Sequence, residues 1–276
     1  MSNESFKPND ERKKTFAQRQ RELSRSGWHL EEERREEYMF ELKAPFQKIL
    51  ESLRSDIEQG RIAMLIGDDT SGRVPTLILR NVLKDLYHDS DRPAPATLFL
   101  NGPGGGKQEN TEKDAKRVEQ IADYLRSKIS ADTADIQPAN KVLLVTEAIH
   151  SGNSIKPLLL ACKQLGLNVE IVSIGVETED VKKLEEALGT AIHFGMHGTP
   201  RIYNKRGYSG VTKPMPSAAD AFEKIKAPEI GLFAKPYIHS VYKHNKEDTQ
   251  LWLNEVRREV GVLSRELVES FEENGI

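Results

Sequence analysis

Glu147 stands just past the apolar run Val142 to Val145, and His150-Ser151-Gly152-Asn153-Ser154 follows ahead of a new apolar pattern at helical spacing. Small hydroxyl and glycine residues in such a place let backbone N–H groups close around an anion, and the dipole of the helix that follows adds to the attraction. The chemistry implied is phosphate binding beside a carboxylate. The same residues also suit an ordinary strand-to-helix turn in which Ser154 caps the helix. His150 can exchange a proton near neutral pH, since an unperturbed imidazole titrates at about 6.5. Its plainer reading is an exposed or hydrogen-bonded loop histidine.

A second loop of this kind lies within MLIGDDTSGRVPTLILRNVLKDLY, residues 64–87. Asp68, Asp69, Thr70, Ser71, Gly72 and Arg73 separate an apolar strand from a helix, and a guanidinium such as that of Arg73 suits bidentate contact with phosphate. A turn whose Arg73 points to solvent is the alternative. The third segment, ATLFLNGPGGGKQENT over 96–111, looks at first like a Walker A loop. That motif needs Gly where Asn101 stands and Ser or Thr where Gln108 stands, so it fails. What is left is a glycine-rich stretch carrying Lys107, suited equally to a lid and to a plain flexible connection.

The elements that must position these loops are legible as short apolar runs alternating with amphipathic segments from IAMLIG to AIHFGM. That alternation predicts an α/β fold, a parallel sheet flanked by helices, in which ligands sit at the carboxyl ends of the strands. Phe40, Leu42, Phe46, Ile49, Leu50, Leu53 and Ile57 predict a helix leading into the core, ended by Gly60. From Asp248 to Phe271, Trp252, Val256, Val260, Leu263, Leu267 and Phe271 mark an amphipathic helix whose apolar face needs a partner, internal or on another chain. The organisation expected is a charged N-terminal arm and helix over 1–58, a core over 59–200, a polar cover segment over 201–245 and a C-terminal amphipathic helix over 246–276.

Composition narrows the class further. A chain of 276 residues with 37% hydrophobic content has the material for a core, and a net charge of −3 gives no reason to expect a nucleic-acid partner. One cysteine, Cys162, excludes an internal disulfide and a multi-cysteine metal site and fits a reducing compartment. With no long apolar stretch and a highly charged beginning, the expectation is a cytoplasmic protein with no membrane partner. His193 and His197 lack a carboxylate or thiol in register, so no protein-held metal site is expected.

VLLVTEAIHSGNS resembles the phosphoribosyl-diphosphate signature of the type I phosphoribosyltransferases, an apolar strand followed by two acidic residues and a Thr/Ser/Gly-rich loop. The resemblance covers roughly residues 60–200. It implies that Ser151, Gly152, Asn153 and Ser154 hold the 5′-phosphate, that Glu147 accepts from ribose hydroxyls, and that His150 acts as acid or base toward the incoming base. It further implies that Asp69, Thr70, Ser71, Gly72 and Arg73 form the pyrophosphate loop and that Lys107 lies on the mobile loop that closes over the reaction centre. Magnesium would accompany phosphoribosyl diphosphate, a hood in the region of His193, His197, Arg201, Tyr203, Lys205, Arg206, Tyr208 and Lys213 would recognise the acceptor base or nucleotide, and the protein would be a homodimer. Two positions depart from the family. Thr146 replaces the first acidic residue and Ser71 the usual basic one, which also suits a regulatory protein that binds nucleotides without transfer, with the terminal helices contacting a protein partner. A serine hydrolase using Ser151 or Ser154 is a third reading, without the Gly-x-Ser-x-Gly elbow to support it.

Overall fold

The computed structural model describes residues 41–68, 72–100, 111–132, 139–199 and 246–273. The predicted arm before residue 41, the cover segment over 201–245, and the loop residues Asp69, Thr70, Ser71 and Lys107 lie outside them. The described chain runs α1 (Lys43–Ser52), α2 (Arg54–Glu58), β1 (Ile62–Asp68), α3 (Arg73–Asp89), β2 (Ala96–Leu100), α4 (Thr111–Asp132), β3 (Lys141–Ile149), α5 (Lys156–Gln164), β4 (Asn168–Val176), α6 (Val181–Leu188), β5 (Ile192–His197) and α7 (Lys246–Glu273). The helix expected through Ile57 breaks at Leu53 into α1 and α2.

All strand pairs are parallel, in the order β2-β1-β3-β4-β5. The strands alternate as a two-sided sheet requires. Leu143 and Val145 of β3 and Val172 and Ile174 of β4 join the core under α1, α3 and α7. Val142, Leu144, Val169 and Ile171 join the core under α4, α5 and α6, which also holds Cys162. Burial pushes the Cys162 thiol up to about 12, so it acts as a small apolar side chain rather than a nucleophile. Among the described residues no helix is long and apolar enough to cross a membrane.

The partner that the C-terminal stripe requires is internal along its described half. Val260, Leu263, Leu267 and Phe271 are buried with residues of α1 and α3. Polar contacts fix the register: Lys43 Nζ lies 2.8 Å from Glu266 Oε2, Gln47 Nε2 donates to Ser270 Oγ at 2.7 Å, and the Arg54 guanidinium stacks 4.1 Å from the Phe271 ring centre. On the other side α1 touches β5 closely. A methyl group on Gly195 would stand 2.4 to 2.6 Å from Cβ, Cα and the carbonyl oxygen of Pro45. Gly195→Ala is therefore expected to prise α1 off the sheet edge and cost about 1–3 kcal/mol in chemical denaturation. An unchanged midpoint would show that the helix yields freely.

The amino ends of the strands carry a charge chain that local sequence does not reveal. Arg61 Nη2 lies 2.6 Å from Asp56 Oδ1, and Lys141 Nζ bridges Asp56 Oδ2 at 2.8 Å and Glu170 Oε1 at 2.5 Å. His193 Nε2 meets Glu170 Oε2 at 2.8 Å, while its Nδ1 is 2.9 Å from Ser52 Oγ. The sequence had grouped His193 with the residues of a hood over the ligand. It stands instead in the first half of β5, at the opposite end of the sheet, tying α1 to β4. Burial pushes the Glu170 carboxyl up, but the bonds from His193 and Lys141 together outweigh it and hold the group at about 2. Stability from this group is present above its ordinary value near 4.5 and drains as pH falls toward 2. Glu170→Gln should flatten the acid limb of the stability curve by on the order of 2 kcal/mol, read from denaturation midpoints between pH 5 and pH 2.5. A limb as steep as the wild type's would place the linkage elsewhere.

Candidate functional site

The strand order points to a candidate crevice before any side chain is considered. β1 hands the chain to α3 on one face, whereas β3 hands it to α5 on the other, so the loops diverge between these neighbouring strands. In doubly wound sheets the crevice so opened at the carboxyl ends receives the ligand. Both predicted phosphate loops flank it.

On the β1 side, Gly72 N–H donates to the Asp68 carbonyl at 2.6 Å and the Gly72 carbonyl accepts from Thr76 N–H at 2.9 Å. Gly72 is seated against the neighbouring strand: a Cβ there would lie 2.2 Å from the Val145 carbonyl oxygen and 2.6 Å from Asp68 N. Only glycine lets the loop close that tightly. Arg73 opens α3 with its guanidinium 5.5 Å from the Phe99 ring centre. Thr76 is fully buried and its hydroxyl lacks a hydrogen-bond partner, lying where a methyl on Gly67 would come within 2.5 Å.

On the β3 side the loop is a candidate anion nest. Gly152 takes φ +74°, and its carbonyl accepts from Ile155 N–H at 3.1 Å and Lys156 N–H at 3.0 Å. Among the described residues, none of the N–H groups of Ser151, Gly152, Asn153 and Ser154 donates to a backbone carbonyl. Successive N–H groups turned outward by a left-handed residue at a helix start make a concavity for negative charge. The cap of α5 is Ile155 with no side-chain cap bond, so Ser154 does not spend its hydroxyl as a helix cap. Ser151, Asn153 and Ser154 are exposed while Gly152 is buried against Leu188.

Glu147 is not at the strand's end, as the sequence suggested, but inside β3, which continues to Ile149. It is 7% exposed, and its Oε1 has no hydrogen-bond partner. Burial raises the Glu147 carboxyl to about 8, which keeps it protonated at neutral pH. A neutral carboxyl donates as well as accepts, the pairing a sugar hydroxyl offers in return. Asp68, at the end of β1, is buried too.

His150 is exposed, and its Nδ1 lies 3.1 Å from Glu177 Oε2. Glu177, which sequence reasoning passed over, follows β4 and also accepts a hydrogen bond from the Thr199 hydroxyl. The signal was present for Glu177, which stands directly after an apolar strand, the address that singled out Glu147 in the sequence. Neither Ser151 nor Ser154 hydrogen-bonds a histidine among the described residues, which leaves a nucleophilic serine without its base. His197 packs edge-on against Phe194 at 5.1 Å between ring centres. No protein-family model, curated protein or solved structure matches this chain.

Proposed function

We propose that the chain binds a phosphorylated ribose, phosphoribosyl diphosphate or a nucleotide, in the crevice between β1 and β3, as a divergent type I phosphoribosyltransferase-like protein. The observation that carries this reading is the nest at Ser151 to Ser154, with its unengaged N–H groups, next to the buried and half-unsatisfied carboxyl of Glu147. The nest takes the 5′-phosphate, and Glu147 exchanges hydrogen bonds with ribose hydroxyls. Arg73, at the start of α3, supplies a cation for a second phosphate group.

Among the described residues no three His, Cys, Asp or Glu side chains gather as a metal cage. The residues fit magnesium only as an ion that arrives on the diphosphate, with Asp68, at the end of β1, a carboxylate that would complete its shell, since magnesium commonly keeps phosphate and water ligands and few from protein. Bound there, it would neutralise the departing pyrophosphate. With a nitrogenous base present, the reaction is transfer of phosphoribose to that base. The neutral states of Thr146 and Glu147 favour a second reading, nucleotide binding without transfer, because neither stabilises positive charge on the sugar.

Ribose 5-phosphate is the simplest probe. Added to isotopically labelled protein, it is expected to move the amide resonances of Ser151 to Ser154 while leaving those of the strands' amino ends in place. Unmoved loop amides at millimolar probe would overturn the phosphate assignment.

A further inference from the structure

Three parallel strands end in one row. Ile149 pairs with Val176, and Val176 with His197, so the next residues of each strand line up across the carboxyl edge of the sheet. Glu177 N–H donates to the Ile149 carbonyl at 2.9 Å, and Gly198 N–H donates to the Val176 carbonyl at 2.8 Å. These bonds set the backbones of His150, Glu177 and Gly198 side by side, with Thr199 the residue after Gly198. Their side chains join in the same order: Thr199 donates to one oxygen of Glu177, and His150 Nδ1 lies 3.1 Å from the other. At 3.1 Å the lone pairs of a bare Nδ1 and a carboxylate oxygen would repel, so this contact favours a proton on Nδ1. In the neutral ring that leaves Nε2 as the acceptor. His150 is 79% exposed on its side chain, and no contact among the described residues occupies Nε2. His150 also immediately precedes the nest, which sets the ring beside whatever the nest holds.

Resting on the phosphoribosyl reading above, we infer that Glu177 is a positioning residue of the same site: it fixes His150 as the Nδ1–H tautomer and so presents Nε2 as the base toward the incoming acceptor, with Thr199 holding the carboxylate in place. In the transfer an acceptor nitrogen forms its bond to C1′ of the sugar. The C1′–O bond to pyrophosphate breaks, and its electron pair leaves on the pyrophosphate oxygen. The acceptor's N–H proton passes to Nε2, and the imidazolium so formed keeps its Nδ1–H on the Glu177 carboxylate. The exposed ring then returns the proton to water. A histidine used this way needs its tautomer set by a neighbour, because a side chain free in solution favours the proton on Nε2.

The test reads the tautomer directly. Long-range nitrogen–proton correlation on the full chain, with labelled histidine and no ligand, is expected to show His150 in the Nδ1–H form. Glu177→Ala should send it mainly to the Nε2–H form, whereas Glu177→Gln, whose amide oxygen still accepts, should retain most of the Nδ1–H form. Thr199→Val is the milder second variant and should produce a partial shift. An Nε2–H ring in the wild-type protein, or a ring that does not respond to Glu177→Ala in a folded variant, overturns the inference. Ribose 5-phosphate titrated into the Glu177→Ala protein separates the two readings: the loop amides should respond as in wild type. If they fail to respond in both proteins, the phosphate site is wrong and the transfer role of His150 falls with it. If they respond while the tautomer is insensitive to residue 177, the positioning role alone is wrong.

Discussion

Gly72→Ala is expected to lower the melting temperature by roughly 6–12 °C, corresponding to about 3 kcal/mol or more. Its cause is not backbone conformation, because Gly72 has φ −84°, a value open to any residue. The obstacle is space. The added methyl would lie 2.2 Å from the Val145 carbonyl and 2.6 and 2.8 Å from the Asp68 backbone, and these are strand atoms with no rotamer to change. Relief requires β1 and β3 to part or α3 to back away at its first turn, and either movement also opens the crevice. The alanine variant should therefore lose ribose 5-phosphate binding beyond what its lower stability explains, measured well below its melting temperature. A melting point within a degree or two of wild type would show that the loop is not seated against β3.

The second large effect concerns Glu147 and has a definite sign. Burial raises its carboxyl from the ordinary 4.5 to about 8 in the folded chain. Below about pH 4.5 the group is protonated folded or unfolded and contributes no difference between glutamate and glutamine. Between about 4.5 and 8 the unfolded chain ionises freely while the folded protein keeps the buried carboxyl protonated, so stability falls across that window and levels off once the folded group ionises too. Glu147→Gln removes this linkage. The variant should match wild type near pH 4.5 and exceed it by roughly 3–5 kcal/mol above pH 8, with the gap opening between those values in denaturant titrations. A gap that is constant with pH would mean that the carboxyl has found a charge partner. At neutral pH the same substitution should weaken ribose binding under either functional reading and abolish turnover under the transfer reading.

The sheet was legible because its strands are buried on both sides, so each wrote itself as a short apolar run, and Val142 to Val145 is the clearest case. The glycines of the two candidate loops were legible because turn chemistry is local: Gly152 and Gly72 stand where a left-handed residue and a close approach are needed. Ends and distant pairings were not. Glu147 reads as the end of a strand because it is charged, yet the ladder runs on to Ile149 since a protonated carboxyl tolerates burial. The chain of Asp56, Lys141, Glu170 and His193 joins residues from four elements and has no local signature. His193 was misplaced for that reason: position along the sequence put it near the hood, but a strand only six residues long has its two ends at opposite poles of the fold. The row of His150, Glu177 and Thr199 needed the register of three strands, which no spacing in the sequence supplies.

The most direct trial of the central claim is calorimetric titration of the full chain with phosphoribosyl diphosphate and magnesium. The proposed function predicts saturable, magnesium-dependent binding at micromolar strength, weakened in Glu147→Gln and in Gly72→Ala. Absence of heat with that ligand and with every nucleoside monophosphate would contradict it, leaving the nest and the buried carboxyl without the ligand assigned to them.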